Sequence, residues 1–329
     1  MSFVLPNYQH ARGRHCGSGS LANLCRYAGH PLSEPMVIGL GASLGFIYME
    51  NSAMSPGRVF FPRNNTLEQD FCRHAGVKLE VHREKDQHAA WEGARNALEA
   101  GLPVMLNSDI YELHYFGSRT HFNGHKTLLV GHDEKGAIIS DTEFDEIQHE
   151  PLDTLAKARS SKYPPSLAGD SPWYTFAFEK SLRPLERAIP EAIADQATKM
   201  LSAKGNFGCG GMDMAGERLG KWGEAEDWQW AARFAYQIIE RRGTGGGGFR
   251  KMYAEFLAES RELVPAIADA RLDELMAKIA ADWTALGEEC KRLSEREEPG
   301  DFSEAAERMR ELAGEERAFF ESAAKHFAS

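Results

Sequence analysis

The sequence predicts an α/β (α+β) domain followed by a mostly α-helical one, and three observations carry this. Up to about residue 150, short apolar runs of strand length alternate with stretches whose apolar residues fall at three- and four-residue spacing. From about residue 183 onward the spacing is almost purely helical. Between the two, residues 158–172 hold Ser160, Ser161, Pro164, Pro165, Gly169, Asp170, Ser171 and Pro172, a loop composition that makes a natural boundary. The chain of 329 residues therefore divides into 1–160 and 161–329, each long enough to bury a core.

In the first domain, helices are expected over 17–28, 66–75 and 87–100, with Gly29, Gly76 and Gly101 just past the three ends as stop signals. Strands are expected over 77–82, 103–107, 126–131 and 137–140. The last two are joined by Asp133, Glu134, Lys135 and Gly136 and read as a hairpin. Residues 173–178 alternate enough to form one more strand, returning to the first domain's sheet. Helices follow over 185–201, 226–241, 249–259, 264–286 and 303–327, with Trp222, Trp228 and Trp230 as packing residues.

Composition excludes several function classes. Lys plus Arg number 38 against 49 Asp plus Glu, a net charge of −11, which argues against nucleic acid as a partner. The most apolar stretch, 37–49, is interrupted by Gly39, Gly41 and Gly45 and falls short of the roughly 20 residues that span a bilayer. The first ten residues lack the charged-then-apolar pattern of a signal peptide, so a cytoplasmic location is expected. Five cysteines without tight clustering read as reduced thiols.

The chemistry is expected at Cys16. It follows Gly13, Arg14 and His15 and opens an apolar helix, where unpaired backbone N–H groups and the helix dipole stabilise a thiolate. Cys25, on the apolar face of the same helix, reads as a core filler. A nucleophilic thiol needs a base, and the base an orienting partner. His125 begins one hairpin strand and Asp141 ends the other; their even separation puts both side chains on one face, and a five-residue loop over 131–135 would set them directly opposite. His121 and His132 compete for the same role. The three histidines also admit a metal site, disfavoured because Asn123 and Gly124 break the helix that would align the first two. The run Gly243 to Gly248 precedes Arg250 and Lys251 but lacks the Gly-Lys-Ser/Thr ending of a P-loop. A tight helix–helix turn is the plain reading, while glycine's open backbone makes Gly245 and Gly246, with Arg250, substrate-binding candidates. Glu34 is a further candidate of that kind, or a helix-start acid.

Gly13-Arg14-His15-Cys16-Gly17-Ser18, with Leu21, Asn23, Leu24 and Gly29, then Leu32-Ser33-Glu34, Met36 and Gly39-Leu40-Gly41, resembles the N-terminal domain of the butirosin biosynthesis protein H family. So does Gly124-His125 with Asp141-Thr142. That domain in turn resembles papain-like cysteine enzymes. Gly243-Thr244-Gly245-Gly246, Phe249-Arg250 and 253–257 resemble the helical domain of unknown function commonly attached to it. The resemblance implies a papain-like cysteine acyltransferase that takes an acyl group from a carrier-protein thioester and passes it to a small amine, with no cofactor or metal. Cys16, His125 and Asp141 follow the papain-like order, and Gln9 or His10 falls where an oxyanion donor is expected. A cysteine hydrolase with the same triad is the alternative enzyme, and a non-catalytic ligand-binding module the alternative of another class. Acyl carrier proteins are usually acidic, so docking on this chain needs a local basic patch, for which Arg12, Arg14, Arg58 and Arg63 are the candidates. The composition also admits a homo-oligomer.

Overall fold

The computed structural model describes residues 2–327. Its strands are β1 (Phe3–Val4), β2 (Leu44–Glu50), β3 (Arg58–Arg63), β4 (Lys78–His82), β5 (Val104–Asp109), β6 (Asn123–Asp133), β7 (Gly136–Ser140), β8 (Gln148–Glu150) and β9 (Trp173–Ala177). Its α-helices are α1 (Cys16–Tyr27), α2 (Glu34–Leu40), α3 (Leu67–Ala75), α4 (Gln87–Glu99), α5 (Leu152–Arg159), α6 (Leu185–Ser202), α7 (Gly208–Arg218), α8 (Trp228–Glu240), α9 (Arg250–Ser260), α10 (Ala266–Asp269), α11 (Leu272–Ser294) and α12 (Ser303–Phe327). The chain forms two units, one from the residues up to Glu34 together with Gly76–Leu182, the other from Pro35–Ala75 together with the residues from Arg183 onward.

The first unit is built on a seven-stranded sheet in the order β4-β9-β5-β6-β7-β8, with β1 pairing alongside β6. All its pairings are antiparallel, and β9 sits between β4 and β5. The β6–β7 hairpin closes on two residues, Glu134 and Lys135, with Asp133 Oδ1 accepting from the backbone N–H of Lys135 at 2.8 Å and of Gly136 at 3.2 Å. Gly136 has φ of +142°, and a Cβ there would stand 2.2 Å from the Glu150 carbonyl oxygen, so only glycine fits. α1 packs against β6, while α4 and α5 pack on β5 and its neighbours.

The second unit is helical, with β2 and β3 as a separate antiparallel hairpin. Its core centres on Phe46, Phe60, Trp222 and Trp283, with ring centroids 5.5–6.1 Å apart in successive pairs. Where the sequence suggests a single cut between 160 and 161, the chain passes between the two units three times, after Glu34, Ala75 and Leu182. The apolar stretch 37–49, which the sequence reading considered only as too short for a membrane, is apolar all round and must be enclosed by other elements. Gly39 shows how closely: a Cβ there would lie 2.1 Å from the Phe256 ring, so residues 35–75 lodge among the C-terminal helices. No helix among the described residues is long and apolar enough to cross a membrane.

Candidate active site

α1 starts at Cys16 because His15 caps it. His15 has extended backbone (φ −141°, ψ 136°), and its Nδ1 accepts from the Ser18 backbone N–H at 3.2 Å. The Gly19 N–H is taken by the His15 carbonyl at 2.8 Å, so the amides of Cys16 and Gly17 are left without an intrahelical acceptor. Glu34 clamps the approach: its carboxylate accepts from the backbone N–H of Arg14 (2.8 Å) and His15 (2.9 Å) and from the Ser18 hydroxyl (2.7 Å). Two glycines let three segments meet. Gly13 donates its N–H to the Thr142 carbonyl at 2.9 Å, and a Cβ on Gly19 would lie 3.1 Å from the Gly13 Cα and 3.1 Å from the Thr142 Oγ1. The helix start is thus pinned to the residue that follows Asp141.

His125 and Asp141 face each other by way of a bulge. The hairpin pairs Asp133 with Gly136 and Gly131 with Ile138, a register that, continued, would place Asp141 across from Leu128 and on the opposite face from His125. The shift between Leu129 and Gly131 adds one residue to β6, so that Leu128 pairs with Ser140 and the next step sets Asp141 across from Thr127. Asp141 is then His125's diagonal neighbour on the same face, and His125 Nε2 donates to Asp141 Oδ2 at 2.7 Å. The directly opposed pair expected from a five-residue loop is corrected to this diagonal one. Tyr115 donates its hydroxyl to the same Oδ2 at 2.9 Å, and Asp141 Oδ1 accepts the Glu143 N–H at 3.0 Å. Glu150, wholly buried, holds the backbone N–H groups of His114 (3.0 Å) and Tyr115 (3.3 Å). Phe116 meets the His125 ring edge-on at 5.3 Å, and Phe144 meets Phe116 likewise at 5.4 Å.

The electrostatics separate Cys16 from Cys25, Cys209 and Cys290. Burial raises the Cys25, Cys209 and Cys290 thiols to about 12. At Cys16 burial also raises the pKa, but the neighbouring imidazoles of His15 and His125 outweigh it and hold the thiol well below its ordinary value. His125 is raised to about 10: burial opposes its charge, and the charge and hydrogen bond of Asp141, joined by Cys16, prevail. Asp141 is lowered despite burial, chiefly by His125. With Nε2 committed to Asp141, the imidazole turns its other nitrogen to the sulfur. The arrangement is a thiolate–imidazolium pair backed by a carboxylate, a group able to attack a carbonyl carbon and to deliver a proton beside it.

The other candidates separate. His10 is spent: Nε2 lies 3.0 Å from the Phe144 carbonyl, which takes its N–H, and Nδ1 lies 2.7 Å from the Ser140 hydroxyl, so both ring nitrogens are engaged within the fold. Gln9 is exposed. Glu34 uses both carboxylate oxygens on the helix start, where it acts as a clamp. Arg250, buried completely in the second unit, makes a two-pronged ion pair with Glu316 at 2.8 Å through both Nε and Nη2, with Trp283 Nε1 donating to the same carboxylate at 2.6 Å. Gly245 and Gly246 have φ of +66° and +88° and sit against Met252 and Lys251, so the glycine run is a packed helix connection. His121 pairs with Asp109 at 2.8 Å and His132 with Glu99 at 2.9 Å, apart from Cys16's partners. No three metal-ligating side chains converge among the described residues. Arg12 pairs with Asp145 and Arg14 with Glu34, while Arg58 and Arg63 belong to a strand, β3, of the second unit and not to loops. Sequence reasoning missed His15, Tyr115 and Thr142. The spacing of His15 and Ser18, a cap and its third helical residue, is the one local signal that marks any of them.

Two family models match the chain. Residues 15–142 match the N-terminal domain of butirosin biosynthesis protein H, and residues 153–323 match a domain of unknown function, DUF4872. Among solved structures, one described as a C39-like peptidase from Bacillus anthracis is 14% identical, covering 54% of this chain and 98% of that one with a TM-score of 0.36, too low to bear on the fold. No curated protein matches the sequence. With the cysteine motif inside one matched segment and the helical unit filling most of the other, the chain belongs to the family that joins a butirosin biosynthesis protein H N-terminal domain to a DUF4872 domain.

Proposed function

We propose that the chain is a papain-like cysteine acyltransferase of natural-product biosynthesis. The observation that carries this reading is the Cys16 thiolate held at a helix N-terminus against the His125–Asp141 pair. The thiolate attacks the carbonyl carbon of an acyl thioester, presented by a carrier protein or as a small molecule. The tetrahedral intermediate collapses by breaking the bond to the donor sulfur, which leaves as a thiol with the proton from His125. An amine then attacks the Cys16 acyl thioester, and His125 takes the amine's proton as the Cys16–carbon bond breaks. Asp141 holds the imidazole and stabilises its charge through both protonation changes. The family name, which ties the N-terminal domain to butirosin biosynthesis, supports a place in natural-product biosynthesis.

The test incubates the protein with acyl N-acetylcysteamine thioesters, with and without a panel of primary amines, and follows thiol release and amide product. Thiol release that depends on Cys16 and an amide that forms only with the enzyme support transfer. Thiol release that yields only the carboxylic acid at every amine concentration turns the reading to a hydrolase. No release with any donor, from a chain whose Cys16 reacts normally with alkylating agents, favours a binding module.

A further inference from the structure

We propose that His15 supplies the side-chain donor of the oxyanion hole, completing it beside the Cys16 backbone N–H. The inference rests on the acyl-enzyme reading above and names the residue that reading lacks, since both His10 ring nitrogens are engaged within the fold and Gln9 is exposed.

The geometry fixes what His15 presents. The residue is 8% exposed, and its backbone N–H is anchored on Glu34 Oε1 at 2.9 Å. Ser18 hands its hydroxyl proton to Glu34 at 2.7 Å, so that hydroxyl has none left for the ring. The ring's Nδ1 takes instead the Ser18 backbone N–H, a first-turn amide with no acceptor inside the helix. An imidazole that accepts at Nδ1 carries its proton on Nε2. That Nε2–H stands 4.0 Å from the Cys16 Sγ. When the thiolate adds to a carbonyl, the π electrons move to oxygen, and the oxyanion lies two bonds from Sγ. A donor at this distance from the sulfur reaches it at the roughly 2.7–3.1 Å such donors need. The Cys16 N–H, unpaired at the helix start, is the second donor. One residue thereby does two things with two nitrogens: Nδ1 caps the helix that carries the nucleophile, and Nε2 meets the charge the nucleophile creates.

The two nitrogens are separable by mutation. His15→Asn keeps an acceptor near Nδ1 and withdraws the distal N–H; His15→Gln restores an amide N–H near Nε2. Two reactions of Cys16 are compared: acetylation by p-nitrophenyl acetate, which forms an oxyanion and releases p-nitrophenolate, and alkylation by iodoacetamide, which forms none. Alkylation also serves as the control for a folded site. The expected result is that His15→Asn slows acetylation about 100-fold or more while alkylation above the thiol's midpoint stays within a few-fold. His15→Gln is expected to recover at least tenfold of the loss. Equal losses in both reactions, or acetylation by His15→Asn at the wild-type rate, overturn the assignment and leave the acyl-enzyme reading standing. A wild-type protein whose Cys16 alkylates but never acetylates overturns both.

Discussion

Replacing Asp141 by Asn removes a charge from a site where it does most of its work through His125. Asp141 is fully buried, His125 is 6% exposed, and 2.7 Å separates them, so solvent screens the pair weakly. The imidazole stands at about 10, held up against burial by the charge and hydrogen bond of Asp141 and, after it, by Cys16. A hydrogen bond to a charged group contributes roughly 1.5–3 kcal/mol, and about 2 kcal/mol is about 30-fold in the thiolate–imidazolium equilibrium. Burial then pulls His125 down and lets the Cys16 thiol rise toward its ordinary value. The assay is the rate of iodoacetamide alkylation of Cys16 as a function of pH, with labelling sites read by peptide mass spectrometry. Asp141→Asn should move the midpoint upward and, at pH below the wild-type midpoint, slow alkylation by about 30-fold. A variant with the wild-type rate and midpoint would refute the view that Asp141 maintains the ion pair.

The pH profile of acyl loading should be a broad bell. Its acid limb lies below the ordinary thiol range and its alkaline limb near 10, where His125 loses its proton; an alkaline limb near 6.5 would contradict the pairing. The same shift bears on stability. A folded value above the unfolded one means that His125's contribution is complete below 6.5 and is lost as pH climbs through about 10, which melting of wild type and His125→Ala across that window should show. Glu34→Ala withdraws the acceptor of three hydrogen bonds around the nucleophile and should lower kcat at least tenfold with little change in KM, measured with a small soluble thioester. Arg250→Ala should cost about 3–5 kcal/mol in urea unfolding because it strands the buried Glu316 carboxylate; lost turnover at unchanged stability would return Arg250 to the substrate site.

The place of Cys16 at a helix start was legible because the signal is local. Gly13 to Gly19 is polar and flexible, Leu21 to Cys25 is apolar at helical spacing, and Cys16 stands at the change. The facing of His125 and Asp141 was legible only by parity. The true turn is two residues and not five, which alone would have reversed the face, and the bulge after Leu129 restores it. Neither feature has a composition that announces it. Glu34 and Arg250 read as candidate ligands because a charged residue near a glycine motif looks accessible in sequence, whereas each is consumed by partners brought from elsewhere in the chain. α7 was missed for a similar reason. Its GCGGMDMAGER run has weak intrinsic helix propensity, and close packing favours its small residues: a Cβ on Gly211 would lie 2.3 Å from the Asn206 carbonyl oxygen and one on Gly216 2.6 Å from Arg310.

The central claim, that Cys16 carries an acyl group between donor and amine, is tested most directly by intact-protein mass spectrometry. The protein is quenched in acid within seconds of mixing with an acyl thioester, and the adduct is located by peptide mapping. The account predicts one added acyl group on Cys16, absent in Cys16→Ser and discharged when a competent amine is supplied. An acyl group on Cys25, Cys72, Cys209 or Cys290, or turnover with an unmodified Cys16, would contradict it.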